Sequence, residues 1–349
     1  MLLEPRLHTP LWVTISAPIA AVAVVLILCS GLIIWAGAPV LDAYISLING
    51  AFGSRFALSE TLVRATPLIF TGLAAAVAFR AKLWNIGGEG QLYMGALAAT
   101  YFGTGLVDLP SFLLIPFLFI VGALAGGAWL LIPTLLKTQL KVDEVVTTLL
   151  LNFVALLLVN YLLFGPWKDP LAMGWPQGAP IIDDGILPTL IAKTRLHGGL
   201  IFAVVTAFGM WVFMKYSRWG FETRAVGLNP DAARFAGIPI TKTVIRTALI
   251  SGGLAACAGV TEVAGTKGYL TLDISPGFGY TGIAVAMLAG LNPLGVIIAA
   301  LFVAGIYNGA DSMSRAMDVS NYIADVITAA SLLLVLLAVM LTRMRIRWR

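Results

Sequence analysis

Seven consecutive residues, Asn85-Ile86-Gly87-Gly88-Glu89-Gly90-Gln91, set two side-chain amides and a carboxylate among three glycines. A second run, Gly265 to Gly282, contains Gly268, Pro276, Gly277 and Gly279. The chemistry available to such groups is binding. Amides and carboxylates offer hydrogen bonds to a polar solute, and glycine and proline interrupt a helix so that backbone donors and acceptors are freed beside them. Asn152, Asn160 and Asn308 are isolated amides in otherwise apolar stretches. Each either lines a path for a solute or bonds between helices. Asn85, Gly88, Glu89, Gln91, Asn152, Gly277, Gly279 and Asn308 are the candidate lining of a translocation path.

Bond-making chemistry has little support. A phosphate cradle needs G-x-x-x-x-G-K-[ST], and the chain has no Gly-Lys dipeptide. There is no Gly-x-Ser-x-Gly elbow, and only His8 and His197 are available to join Cys29 and Cys257 as soft metal ligands. Both cysteines fall in apolar stretches and read as buried packing residues, with no disulfide framework.

The elements that must position these groups are membrane spans. Of the 349 residues, 59% are apolar and 11% are Asp, Glu, Lys or Arg, against roughly 25% charged in soluble domains. A helix crosses the hydrocarbon core, about 30 Å thick, in about 20 apolar residues. Ten blocks approach that length, near 12–36, 60–79, 85–104, 110–136, 143–164, 198–214, 244–264, 274–290, 293–310 and 322–342. The first is too long for a cleaved signal peptide. Fifteen Lys and Arg fall in one set of alternate loops, six in the opposite set, and Arg64 lies inside a span. The positive side is cytoplasmic, so both termini are expected there. This location of charge, rather than any nucleic-acid partner, accounts for the net +5.

The longest outer loop, 165–197, carries Trp167, Trp175, Pro166, Pro170, Pro176, Pro180 and Asp183-Asp184. It reads either as a structured loop or as a docking surface for an external partner. A weak internal repeat is also present: Arg64 and Gly72-Leu73-Ala74-Ala75 resemble Arg246 and Gly253-Leu254-Ala255-Ala256. The charge pattern would invert spans 2–5 relative to spans 7–10, and the glycine-rich interruptions fall at matching places. Paired interruptions point to a translocation path. The expected organisation is one all-α polytopic domain, 1–349. It divides into an N-terminal helix and outer segment (1–58), a first repeat (59–164), a linking helix (198–214), a cytoplasmic loop (215–246) and a second repeat (244–342). Arg64, Glu89, Glu262 and Asp325 lie in or near spans, where charge is expensive. They are expected to fix helix positions, with Glu89 near cytoplasmic water. A proton relay would require several such acids aligned on facing helices.

One cytoplasmic segment carries complete helix punctuation. Asn229 caps, Pro230 suits the first helical position, Asp231 complements the helix dipole, Gly237 suits a left-handed terminus and Pro239 prevents continuation. The result is a two-turn helix over 229–236, with Ala232, Phe235 and Ala236 on one face. It suits a groove on a protein partner better than a lipid surface, which one large apolar residue would grip weakly.

Two segments carry a family resemblance. Phe79-Arg80-Ala81-Lys82-Leu83-Trp84-Asn85-Ile86-Gly87-Gly88-Glu89-Gly90-Gln91 resembles the F-R-x-x-x-x-N-I-G-x-E-G-Q segment of bacterial ABC importer permeases for nucleosides and simple sugars. Gly227-Leu228-Asn229-Pro230-Asp231-Ala232-Ala233-Arg234-Phe235-Ala236-Gly237-Ile238 is similar to their G-x-N-P-x-A-A-x-x-A-G-I loop. The broader group includes ribose and branched-chain amino acid permeases. The resemblance implies a multi-pass subunit of the bacterial inner (plasma) membrane that pairs with a second, homologous permease. A cytoplasmic ABC ATPase holding ATP and magnesium would drive it, with no cofactor on this chain, and a substrate-binding lipoprotein would deliver solute. It also implies that Gly227, Asn229, Pro230, Ala232, Ala233, Phe235 and Gly237 form the coupling helix against the ATPase. A different class stays open, an ion-coupled secondary transporter working as a single chain, with Glu89, Glu262 or Asp325 at the coupling site.

Overall fold

Long apolar runs with few competing polar side chains form helices, and helices dominate the computed structural model, which describes residues 2–5, 11–107, 109–342 and 344–347. In chain order the helices are α1 (Leu11–Trp35), α2 (Val40–Phe52), α3 (Arg55–Arg80), α4 (Gly88–Gly103), α5 (Ser111–Leu140), α6 (Glu144–Phe164) and α7 (Gly199–Tyr216). They continue with α8 (Arg218–Leu228), α9 (Pro230–Phe235), α10 (Ile240–Thr261), α11 (Phe278–Leu288), α12 (Pro293–Met317) and α13 (Asn321–Thr342). A π-helical turn, Glu262–Lys267, extends α10. Among the described residues the architecture is all-α and polytopic but for one short ladder, in which β1 (Leu2–Pro5) pairs antiparallel with β2 (Met344–Arg347). That ladder brings residues 2–5 and 344–347 together.

Among the described residues seven helices are long and apolar enough to cross a membrane. The pair Ala23–Trp35 and Val40–Phe52, which meet at 116°, makes an eighth if it is counted as one broken span. Every expected span has a helix, but two fall short. α4 has 16 residues and α11 has 11, about 24 and 16 Å against a core of about 30 Å. Besides the ladder, the sequence reading lacks α2, α8 ahead of the helix Pro230–Phe235, and a 3₁₀ turn, Asp183–Gly185, in the loop 165–197.

The chain forms two compact units, one of residues 1–61 and 301–349, the other of residues 62–300. In the first, Val25, Cys29 and Ile33 of α1 pack with Met313 of α12 and Ile327 of α13. Asp325, on α13, is exposed. In the second, α4, α5 and α10 form the core and touch through glycine. Gly95 lies against the carbonyl of Ala256, Gly259 against that of Leu92, and Gly126 against Gly252. Lipid gives apolar helices no hydrophobic reason to associate, so close backbone packing through small residues does that work. Cys257 is buried in this unit, and both cysteines are free.

At the outer end of α10 the ring of His197 lies against Gly265, with Nδ1 accepting from the Gly199 amide at 3.2 Å. Burial holds this imidazole neutral, its pKa pushed down to about 4.

Two outcomes follow from this packing. Gly259→Ala overlaps the Leu92 carbonyl and is expected to cost about 1–3 kcal/mol, read as a lowered thermal midpoint in detergent. Gly209→Ala, with nothing near its added methyl, should be neutral or slightly stabilising. Unfolded His197 takes up its proton near pH 6.5 and the folded form only near 4. Stability is therefore fully present above about 6.5 and declines as pH falls towards 4. His197→Gln should flatten that part of the pH–midpoint curve relative to wild type.

Candidate functional site

The chain leaves helix at Arg80 and resumes it at Gly88. The irregular stretch between them is mostly buried, so its polar backbone groups need protein partners. Side chains of α6 supply them, spaced one turn apart on a single face. Asn152, fully buried, accepts from the Gly90 amide at 2.8 Å and donates to the Ile86 carbonyl at 3.0 Å. Thr148 Oγ1 accepts from Ile86 N at 3.3 Å, and Glu144 Oε1 accepts from Trp84 N at 3.3 Å while ion-pairing with Lys137. Lys137 also donates to the Lys82 carbonyl at 3.2 Å.

The remaining amides satisfy one another. Asn85 Nδ2 donates to Gln91 Oε1 at 2.9 Å, and Gln91 Nε2 returns a bond to Asn85 Oδ1 at 2.8 Å. Asn85 also donates to Ser251 Oγ of α10 at 3.0 Å, and that hydroxyl donates to the Ala74 carbonyl of α3 at 2.8 Å. Ser251 sits eleven residues into α10, about 16 Å from that helix end. The network therefore lies near mid-depth of the span.

Glu89 reaches across to the second interruption. Its Oε2 accepts from the Gly279 amide at 2.7 Å, in the first turn of α11. Ser275 Oγ accepts from Gly277 N and Phe278 N at 3.2 and 3.0 Å. One carboxylate thus sits at the first turns of α4 and α11 together, where both helix dipoles favour negative charge. Only glycine permits this meeting, because a methyl on Gly279 would overlap the backbone of Glu89. The sequence reading placed Glu89 near cytoplasmic water. In the structure it is 3% exposed, because the break before α4 lets the chain run inward before helix resumes.

Asn85, Gly88, Glu89, Gln91, Asn152, Gly277 and Gly279 are thus brought into one cluster. Asn308 is elsewhere: it belongs to the other unit and donates to Thr61 Oγ1 at 3.1 Å. Glu262 is buried in the π-helical turn beside the charges of Arg64, Arg195 and Lys267. Sequence reasoning missed Thr148, Ser251, Ser275 and Tyr280, whose hydroxyl accepts from Asn152 Nδ2 at 3.0 Å. The i, i+4 series Glu144, Thr148, Asn152 and Thr243, Thr247, Ser251 were legible signals.

The short helix after α8 forms as its punctuation dictates. Asn229 Oδ1 accepts from Asp231 N and Ala232 N at 3.0 and 3.1 Å. At the other end Ile238 N bonds to Ala233 O and Gly237 N to Arg234 O, both at 3.0 Å, with Gly237 at φ +79°. These two bonds and the left-handed glycine make a Schellman stop. The helix runs Pro230–Phe235, slightly shorter than 229–236. Its inner side is Ala233, which is buried, while Ala232 and Phe235 are exposed, Phe235 at 97%.

This helix is fastened to the unit through α8. Gly227 packs against the carbonyl of Arg80, at the end of α3. Glu222, buried, pairs with Arg218 at 3.0 Å and Arg246 of α10 at 3.3 Å, and the Arg246 guanidinium lies over Trp219. Thr223 and Thr247 share a hydrogen bond at 3.2 Å. Five residues beyond Arg246, α10 presents Ser251 to Asn85. One helix therefore touches both the exposed helix's support and the buried interruption.

Apolar spans, two short helices meeting end to end inside the packed unit, and one exposed short helix make up a polytopic membrane protein. Residues 57–337 match the family described as branched-chain amino acid transport system / permease component. The chain is 37% identical over 318 residues to the guanosine ABC transporter permease protein NupP of Bacillus subtilis, covering 90% of this chain and 91% of that one. It is 34% identical over 354 residues to the glucose ABC transporter permease protein TsgB13 of Haloferax volcanii, covering 99% and 93%. To the nucleoside ABC transporter permease protein NupB of Lactococcus lactis subsp. cremoris it is 32% identical over 295 residues, covering 82% and 81%. The chain belongs to this permease family, and as a permease component it is not itself an enzyme.

Two substitutions separate the parts of the site. Asn152→Leu strands the Gly90 N–H and the Ile86 carbonyl, at about 1–3 kcal/mol for each buried group, and should lower the thermal midpoint well beyond Asn160→Leu. Glu89→Ala should raise amide hydrogen exchange at 278–282, with Glu89→Gln intermediate. Exchange unchanged by both would remove the carboxylate from its role at α11.

Proposed function

We propose that this chain is the membrane-spanning subunit of an ATP-driven importer for nucleosides or a related small polar solute such as a simple sugar. It sits in a bacterial plasma membrane with both termini cytoplasmic. It pairs with a second, homologous permease, receives solute from a substrate-binding lipoprotein, and is driven by an ABC ATPase that holds the ATP and magnesium. The observation that carries this reading is the helix Pro230–Phe235, capped at both ends and seated on Ala233, with Phe235 fully presented. A rigid helix with one exposed ring is suited to a groove on a moving partner. The printed substrates of the relatives, guanosine, nucleosides and glucose, support the solute class.

The mechanism is alternating access between two inverted repeats, α3–α6 and α10–α13. Solute passes the cluster of Asn85, Gly88, Glu89, Gln91, Asn152, Gly277 and Gly279, whose polar groups sit where two helices are interrupted. Closure of the ATPase pushes Phe235. The push travels through α8 and the Glu222–Arg246 pair to α10, and from Ser251 to Asn85. Asn229, Pro230 and Gly237 act by keeping the helix rigid, and Gly227 by letting α8 lie on the end of α3.

Reconstitution with the ATPase, partner permease and lipoprotein tests this. Phe235→Asp, or Gly-Gly in place of Asn229-Pro230, should reduce ATP-driven uptake at least about tenfold while ATP hydrolysis continues and the chain stays folded. Glu222→Gln should lower the number of solutes moved per ATP without changing the fold. Uptake at wild-type level in the Phe235 variant overturns the coupling assignment. Uptake by the single chain under an ion gradient without ATP favours a secondary transporter instead.

A further inference from the structure

The outer end of α4 holds a second feature, remote from the interruption. A cavity of about 490 Å³ is lined by Thr100, Tyr101, Thr104, Trp167 and Lys168 among others, within the range of small-molecule sites. The rings of Tyr101 and Trp167 lie nearly parallel, 20° apart with centroids 5.7 Å from each other. Tyr101 is half-exposed, so this pair presents a broad aromatic surface to the cavity. Two threonine side chains and an exposed lysine lie on its walls.

The wall is built and tied. Trp167 N bonds to the Leu162 carbonyl of α6 at 2.8 Å, which fixes the backbone of Trp167 at that helix end. Asp169, buried, donates its amide to the Gln177 carbonyl at 2.9 Å and accepts from Leu171 N at 2.9 Å, closing the loop on itself. Gly178 N then bonds to the Leu270 carbonyl at 2.9 Å, and Gln177 bridges to Thr271. The loop is therefore continuous by hydrogen bonds with the strand of chain that descends to Ser275 and Gly279. The other wall is α4, which carries Glu89 twelve residues before Tyr101, about 18 Å along the helix.

We propose that this cavity is a receiving subsite for a nucleoside, in which the base lies on the Tyr101–Trp167 pair while Lys168 and Thr104 meet its polar edge or its ribose. The proposal rests on the import reading above and adds to it where the solute is first held by this chain. A flat heteroaromatic ring stacks face to face on such a surface, whereas a hexose would meet it only through C–H groups. Tryptophan at a membrane interface also serves as an anchor, and the test separates the two roles.

The full chain in lipid nanodiscs is equilibrated with radiolabelled guanosine by dialysis, and the wild type is photolabelled with 8-azidoguanosine. Saturable guanosine binding is expected. Trp167→Ala and Tyr101→Ala should each weaken it about tenfold, Trp167→Phe less than about threefold, and glucose should not compete. Label should map to the peptides holding Tyr101 or Trp167. Absence of saturable binding, wild-type affinity in both alanine variants, or label confined to other peptides overturns the subsite. An anchoring role alone would lower the amount of folded chain and leave the affinity of what remains unchanged, which also overturns it. The import reading fails separately, through absent ATP-driven uptake of both guanosine and glucose by the complete transporter. Uptake of glucose with no guanosine binding sinks the subsite and leaves importation standing.

Discussion

Every hydrogen-bonding group of the backbone must find a partner inside the protein when no water is at hand, and the buried cluster around the interruption in this permease is organised by that requirement. Helix satisfies the rule by itself. Where the chain abandons helix between Arg80 and Gly88, α6 substitutes a ladder of side chains, Glu144, Thr148 and Asn152, for the missing backbone bonds. Asn152 is effective because a carboxamide donates and accepts at once, and so closes on Ile86 and Gly90 together. A leucine of similar size would fill the space and leave both groups stranded. The break is affordable only because its partners arrive on a separate, continuous span.

A second consequence concerns charge. Glu89 would be costly at this depth as a lone carboxylate. It is held instead by the Gly279 amide, at the first turn of α11 and in the first turn of its own helix. The partial positive ends of two helices and a direct hydrogen bond offset the lost hydration. The geometry that allows this depends on absent side chains. Gly88 and Gly279 bring two backbones close enough for the carboxylate to bridge them, which explains why the two interruptions are rich in glycine.

The exposed helix and the buried cluster are connected by ordinary packing. α8 rests on the end of α3 at Gly227 and is clamped to α10 by Glu222 and Arg246. Ala78, Phe79, Leu83, Val226, Ala233, Val244 and Ala248 share one apolar cluster beneath it. Because these contacts are tight, displacement of Phe235 has few soft places in which to be absorbed. Under the proposed function, this packing is the route along which the ATPase would act.

Local chemistry alone determined a good deal. The apolar runs marked each of the seven helices long enough to cross a membrane, because crossing lipid demands length and composition together, but they also marked α4 and α11, which fall short. Asn229, Pro230 and Gly237 specified the short helix, since capping involves only neighbours within a turn. The seven-residue interruption was visible for the same reason. What the sequence left open depends on contacts between residues far apart. That α4 and α11 stop short and meet was decided by Glu89 reaching Gly279, 190 positions away. The inward depth of Glu89 follows from the irregular chain ahead of it, which hydropathy averages into a continuous span. Asn308, alike in type to Asn152 and alike in setting along the chain, pairs with Thr61 away from the cluster. A side chain's chemistry is fixed by its identity, but which groups surround it is fixed by helices that the sequence places far from one another.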